Sequence, residues 1–335
     1  MKDNVYNIRR LSLVVGLFVL CALYAYYFAT VRMTVKTEYG PASIEHIMDG
    51  TAPAPFQYRM FFPWLIGTFQ DQTWIPQLAS TAKGYAWLVE TVFTFALFVA
   101  MWNYLGLFFK SKAVKAVGLL LLLHMLNMTY LTTKMYSFYY IYDIPSVVFF
   151  TLALMLIHQK RILLFHALFV VATINRETSC FMTVIYLLAS WRDSRRKVMF
   201  NCAVQAVIWL GIRVVMMSLY PADVERGPWL IMLSNWHGLR NPVALFQVVS
   251  SWGFLWVFPL LGWRLLKDPF VRKACMVVPL FAGLLFFAGN VQEIRIYGEM
   301  IPVILPAALL VMARVFRYGL FDGTPDNAGH GQATA

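Results

Sequence analysis

The chain is a succession of apolar runs, most of them about 16 to 25 residues long, separated by short polar stretches. A helix of about 20 residues rising 1.5 Å per residue matches the ~30 Å hydrocarbon core of a bilayer. In that medium a backbone must satisfy its own hydrogen bonds, which a helix does. Runs at 11–30, 85–109, 114–132, 143–158, 198–219, 245–263, 275–290 and 300–316 read as eight full transmembrane helices. Composition agrees, with 60% of the 335 residues hydrophobic and 13% charged, against roughly 25% charged in soluble proteins. A water-soluble globule is excluded.

The stretch 162–191 differs from the others. It holds two apolar runs of about 12 to 13 residues, interrupted by Asn175-Arg176-Glu177-Thr178 and flanked by Lys160-Arg161 and by Arg192, Arg195, Arg196 and Lys197. Basic flanks on both sides predict a helical hairpin that enters and leaves on one face, with Arg176 and Glu177 at its tip. A single long helix of about 30 residues is the alternative, and it would reverse the sidedness of everything downstream. The expected fold is therefore all-α and integral to the membrane, about ten helical segments with no separate soluble domain.

Formal net charge is +12, from 28 Lys+Arg and 16 Asp+Glu. In a soluble protein this would suggest nucleic acid, but here topology accounts for it and no nucleic-acid partner is expected. Lys and Arg mark the cytoplasmic side, and eighteen of the 28 fall in loops that alternate onto one face, among them Lys2, Arg9, Arg10, Lys110 and Arg192. Eight fall on the other: Arg32, Lys36, Arg59, Lys83, Lys134, Arg226, Arg240 and Arg295. Arg176 and Arg213 lie inside spans. The bias predicts a multi-pass protein of the cytoplasmic (inner) membrane with both termini cytoplasmic. Residues 1–320 read as one membrane domain with outer loops 31–84, 133–142, 220–244 and 291–299, and the small, polar residues 321–335 as a disordered cytoplasmic tail. The first run is too long for a signal-peptide core and lacks a small-residue cleavage site, so it stays as a span. The four cysteines stand singly in apolar runs, with no metal-ligand spacing.

Nine of the sixteen acids fall on outer loops, so chemistry is expected there. In the first loop, residues 42–49 read as a short interfacial helix with Ile44, Ile47 and Met48 toward lipid, and Glu45 and Asp49 one turn apart on one face. Glu38 or Asp49 can deprotonate a hydroxyl or hold a metal, or each is an ordinary solvated acid. Tyr58 and Arg59 can receive an anionic headgroup. Asp143, at the mouth of a span behind Tyr139, Tyr140 and Tyr142, either caps the helix or serves a site. The tyrosines line a sugar site or form an interfacial belt. Ionisable groups at membrane depth are costly, so Arg176 and Glu177 pair with each other or serve a site; Glu90 and Arg213 are the other deep charges and can snorkel to a polar layer. In the last outer loop Glu293, Arg295, Tyr297 and Glu299 alternate and share a side if the segment is extended. Arg295 there binds phosphate or pairs with Glu293 or Glu299. No P-loop, GxGxxG, HExxH or GxSxG motif occurs.

The order of these features, an acidic loop after the first span ending Pro55-Phe56-Gln57-Tyr58-Arg59 with Pro63, then Asp143, then Asn175-Arg176-Glu177-Thr178, then Glu293-Ile294-Arg295 with Glu299 and Pro302, resembles the polytopic GT-C glycosyltransferases, particularly bacterial mannosyltransferase-like members. The likeness spans about 10–316. It implies a GT-C-like fold and transfer of a sugar from a polyprenyl-phosphate donor to a lipid, glycan or protein acceptor at the outer face. The family's loop acid would fall on Glu38, with Asp49 second, although an Asp is more usual there. Its phosphate-facing basic residues would fall on Arg59, Arg176 or Arg295, and Asp143 would help seat acceptor or sugar. No cofactor is firmly implied, though some relatives use a divalent metal. Several relatives carry a large soluble C-terminal domain that this chain lacks, which suits a compact enzyme or one with an envelope-assembly partner subunit. A transporter or flippase with Arg176, Glu177, Arg213 and Glu90 along its path, or a non-catalytic subunit of a polysaccharide-assembly complex, are the competing readings.

Overall fold

The computed structural model describes residues 2–69, 81–132, 138–222 and 228–316. Asp71, Lys134, Asp223, Glu225, Arg226 and the expected tail at 321–335 lie outside them. The first helix, α1 (Lys2–Val35), runs five residues past the expected span and takes Arg32 into its last turn. A loop follows, with a two-residue strand β1 (Thr37–Glu38), a short helix α2 (Ile44–Met48) and the apolar α3 (Phe61–Phe69). Then come α4 (Ala82–Leu105), capped by Thr81, and α5 (Lys112–Leu126), capped by Ser111. A π-helical turn over 127–131 ends α5, and strand β2 (Phe138–Tyr139) pairs in parallel with β1, setting Glu38 opposite Tyr139.

Next in the chain are α6 (Asp143–His158), α7 (Ile162–Asn175), α8 (Cys180–Ser190) and α9 (Arg195–Leu219). Helices α7 and α8 fold back on each other. Lys160 and Asp193 at their outer ends form a 3.1 Å ion pair, and the rings of Phe165 and Tyr186 lie 5.9 Å apart. Helix α9 runs beside both. Its Asn201 bonds Tyr186 near the open end, while its Trp209 and Arg213 bond Glu177 and Thr173 at the tip.

The remaining helices are α10 (Pro228–Leu239), α11 (Pro242–Val249), α12 (Val257–Leu261), α13 (Pro269–Cys275), α14 (Val277–Ala288) and α15 (Ile301–Phe316), the last preceded by a 3-10 segment over 294–300. Among the described residues, six segments are long and apolar enough to cross a membrane: 14–35, 82–105, 112–131, 195–219, 269–288 and 294–316. The protein is thus a helical membrane protein. Helices α6 and α15 form its centre, apolar on all sides and buried along nearly their whole length. Helices α1 and α9 face outward, with Leu20, Leu23, Val207, Leu210 and Val214 more than half exposed.

The expected span at 245–263 is not one helix. Trp252, Gly253 and Phe254 all have positive φ, at 56°, 62° and 63°, so the chain turns out of the right-handed region for three successive residues. This leaves α11 and α12 with 8 and 5 residues, about 12 Å and 8 Å at 1.5 Å each, too short to cross. The turn is anchored from within: the Trp252 indole donates to the Tyr297 carbonyl at 2.7 Å, and His124 bonds the Gly253 carbonyl at 3.2 Å. The interfacial helix is also corrected. Ile44 and Ile47 of α2 are buried against protein and do not face lipid.

Gly253 has no room for a side chain, because a Cβ would collide with the His124 imidazole, and its φ is strained for any other residue. Gly253→Ala should cost about 1–3 kcal/mol and lower the unfolding midpoint in detergent micelles. An unchanged midpoint would mean that this turn is not formed.

Candidate functional site

Where α1 ends and α6 begins, charged side chains meet in an apolar interior. The Asp143 carboxylate receives three arginines. Arg32 approaches one oxygen at 2.6 Å, while Arg295 at 3.1 Å and Arg176 at 3.4 Å share the other. Arg32 also pairs with Glu90 of α4 at 2.6 Å, and all three of Arg32, Glu90 and Asp143 have no solvent exposure. Arg176 pairs in addition with Glu299 at 3.2 Å, and Glu299 accepts from the Thr178 hydroxyl at 2.7 Å. Arg295 pairs with Glu293. Beside this group, Glu177 binds Arg59 through two nitrogens and lies 3.7 Å from Arg213. Five arginines therefore face five carboxylates, and the assembly is neutral when all are ionised.

Local structure explains each position. Tyr142 is the residue before α6, so Asp143 falls in the first turn at the positive end of the helix dipole. Its carboxylate makes no cap bond; the arginines occupy it. Arg176 ends α7 in an extended conformation (φ −161°, ψ 140°), which sends it and Glu177 to different partners. They do not pair with each other. Segment 294–300 is a 3-10 helix, so the condition of an extended segment is not met, and its close approach to Tyr130 needs glycine: a Cβ on Gly298 would strike the Tyr130 hydroxyl. Of the two pairings expected for Arg295 the structure has the one with Glu293, while Glu299 turns to Arg176.

Aromatic rings carry the cations. Arg295 lies 3.8 Å above the Tyr140 ring, Arg59 4.5 Å above Tyr142 and Arg32 4.8 Å above Tyr130, in the range of cation–π attraction. Tyr139, Tyr140 and Tyr142 are buried, so they form no interfacial belt. The Tyr142 hydroxyl accepts from Arg59 at 2.6 Å, and burial pushes its phenol up to about 12 although Arg59 opposes the shift. Burial works against the charge on Arg59, but the Glu177 carboxylate overrides it and holds the guanidinium above its usual range.

The two expected bases lie apart from the arginines. Glu38 is half-buried and accepts the Ile44 backbone N–H at 3.0 Å, serving the start of α2; burial raises its pKa despite that bond. It stands opposite Tyr139, the neighbour of Tyr140 beneath Arg295. Asp49 is exposed at the C-terminal end of α2, and Tyr58 is half-buried near Ile47 and Met216. Among the described residues no three His, Cys, Asp or Glu side chains group as a metal site requires. Three members of the network were not expected at the site. Arg32 read as a loop residue, though the apolar Val31, Met33 and Val35 around it are the signal that α1 continues. Glu90 and Arg213 stood out as deep charges without partners; each is buried, and neither snorkels.

Openness differs across the network. Arg32, Glu90 and Asp143 are sealed, and the crevice beside Arg176, lined by Ser146, Phe149, Ala172 and Ser179, is too narrow for a water molecule. Glu177 and Glu293 are 26% and 16% exposed and form the accessible rim. No protein-family model, curated protein or solved structure matches this chain.

Removing one partner of a buried ion pair costs about 3–5 kcal/mol because the other charge is stranded. Asp143→Asn should therefore lower the denaturant midpoint in micelles strongly, while Asp49→Asn at the exposed end of α2 leaves it in place. Equal midpoints for the two variants would show that Asp143 is not the shared anion.

Proposed function

We propose that the protein is a GT-C-like membrane glycosyltransferase, moving a sugar from a polyprenyl-phosphate donor to a lipid, glycan or protein acceptor at the outer face of the cytoplasmic membrane, with both termini cytoplasmic. The observation that supports this is the set of five arginines gathered at one end of the bundle, three of them held by the partly exposed Glu177 and Glu293. Breaking the bond between an anomeric carbon and a phosphate oxygen leaves negative charge on the departing lipid phosphate. Donors oriented in advance in a dry site stabilise such charge most effectively. Arg295 and Arg59 are buried directly behind the rim carboxylates Glu293 and Glu177, each stacked on a tyrosine and each able to exchange that carboxylate for a phosphate.

In this reading the acceptor hydroxyl attacks the anomeric carbon while a carboxylate takes its proton. The carbon–phosphate-oxygen bond breaks, and the polyprenyl phosphate leaves toward the arginines. Glu38 suits the base better than Asp49. It is half-buried, oriented by the Ile44 N–H, and stands opposite Tyr139, the residue before the tyrosine that carries Arg295, whereas Asp49 is exposed. Asp143 positions three arginines. It acts on the substrate only through them, a narrower role than seating acceptor or sugar.

A base must be ionised to act, so a raised pKa moves the acidic limb of the rate profile upward. Burial raises Glu38 above 4.5, its ordinary value here. Sugar transfer should therefore rise with pH through a limb lying above 4.5. Glu38→Gln should lower kcat by 10² to 10⁴, roughly the share of general-base catalysis, while Asp49→Asn retains activity. Full turnover in Glu38→Gln, with the same limb, would remove Glu38 from the chemistry.

A further inference from the structure

Arg213 differs from the other four arginines in how little of it is satisfied. It is 7% exposed, and only one of its nitrogens, Nη2, has partners: the Thr173 carbonyl at 3.1 Å and Glu177 at 3.7 Å. Nε and Nη1 are both buried with no acceptor. In each of Arg32, Arg176 and Arg295 only Nε is left so, and Arg59 leaves none. A buried guanidinium with two unmet donors is costly to keep, since each unmet donor forfeits its hydration.

The surroundings indicate what would meet those donors. Arg213 sits on α9, the most outward-facing of the long spans described, and the residues flanking it along that helix, Leu210, Val214 and Met217, are 55%, 63% and 56% exposed. In a bilayer these surfaces lie against acyl chains, so the guanidinium stands at a border between protein and hydrocarbon. On its protein side are Glu177, Thr173 and the Trp209 ring, 5.9 Å away. A free anion in water would have to leave its hydration shell to reach this position. An anion carried on a hydrocarbon tail approaches within the membrane, its tail along Leu210 and Val214.

We propose that Arg213 is a docking residue for a phosphate-headed lipid that approaches laterally along α9, an unmet N–H of its guanidinium donating to the phosphate. The identification of that lipid with the sugar donor, or with the polyprenyl phosphate released from it, rests on the transferase reading above. The docking itself rests on the unmet donors. From Arg213 the headgroup is next to Glu177, the carboxylate that also holds Arg59, so the lipid arrives beside the rim of the arginine network.

The test is equilibrium binding of radiolabelled farnesyl phosphate to the full-length protein in detergent micelles, with farnesol and inorganic phosphate as competitors. Arg213→Gln should weaken binding about tenfold or more, the effect of losing charge-assisted hydrogen bonds. Arg213→Met, which fills the same space with an apolar stem and keeps Arg59 on Glu177, should give the same loss where the glutamine variant fails to fold. Arg196→Gln, at the opposite end of α9, should bind as the natural protein does. Undiminished binding in a folded Arg213 variant overturns the proposal, as does full competition by farnesol or by inorganic phosphate at equal concentration. Sugar transfer is read separately. Transfer by Arg213→Gln with an unchanged KM for the lipid donor overturns the docking role alone, and farnesyl phosphate binding through Arg213 in a protein that transfers no sugar overturns the transferase reading alone.

Discussion

A single carboxylate, that of Asp143, holds three guanidinium groups in an interior with no access to water, and the arrangement of the helices around it follows from that demand. Apolar helices in lipid have little reason to prefer one neighbour or one register over another, because acyl chains solvate them as well as protein does. Buried charges supply the missing specificity. Arg32 ties the end of α1 to α4 and α6, Arg176 ties the hairpin tip to α6 and the start of α15, and Arg295 ties the 294–300 segment to the same point. Each of these arginines alone would be expensive at such depth. Together they are neutralised one for one, and the tyrosine rings beneath them add cation–π attraction.

The network has a sealed half and an accessible half, and the division suits a site that must be both rigid and reachable. Arg32, Glu90 and Asp143 have no solvent exposure and fix the positions of the arginines that share Asp143. Glu177 and Glu293 are partly exposed, and the buried Arg59, Arg213 and Arg295 pair with them. The first loop joins the two halves: it brings Arg59 down onto Glu177 and Tyr142, and its strand sets Glu38 beside Tyr139. A carboxylate that can take a proton and arginines that can take a phosphate are thereby held on one loop-and-strand framework, through the two-residue pairing of β1 with β2.

Much of this architecture is readable from residue patterns, and the failures have physical causes. Apolar run length locates most of the long helices, because lipid imposes that length directly. The basic flanks at Lys160 and Arg192–Lys197 predict the hairpin at 162–191, and the pairing of Lys160 with Asp193 is its structural counterpart. The break at 252–254 was invisible, since Trp, Gly and Phe in an apolar run look like any span and the reversal depends on distant anchors, His124 and Tyr297. Arg59, Asp143, Arg176, Glu177, Glu293, Arg295 and Glu299 are legible as individual charges in unusual places. Their pairing was not legible. Partners such as Arg32 and Asp143 are 111 residues apart, and no local spacing encodes that contact. Nothing in the residues around Glu38 and Asp49 decides firmly between them, and folding separates the two, one bonded to the Ile44 N–H and the other left in solvent.

The central proposal is that this set of arginines serves a phosphate-linked sugar carried on a lipid rather than on a nucleotide. Its most direct test is donor selection by the purified natural protein: labelled sugar offered either as a panel of polyprenyl-phosphate sugars or as the corresponding nucleotide sugars, with the product followed on lipid and glycan acceptors. Transfer from at least one polyprenyl-phosphate sugar and none from nucleotide sugars is the expected result. Folded protein that transfers from nucleotide sugars, or from no polyprenyl-phosphate sugar with or without divalent metal, would contradict it.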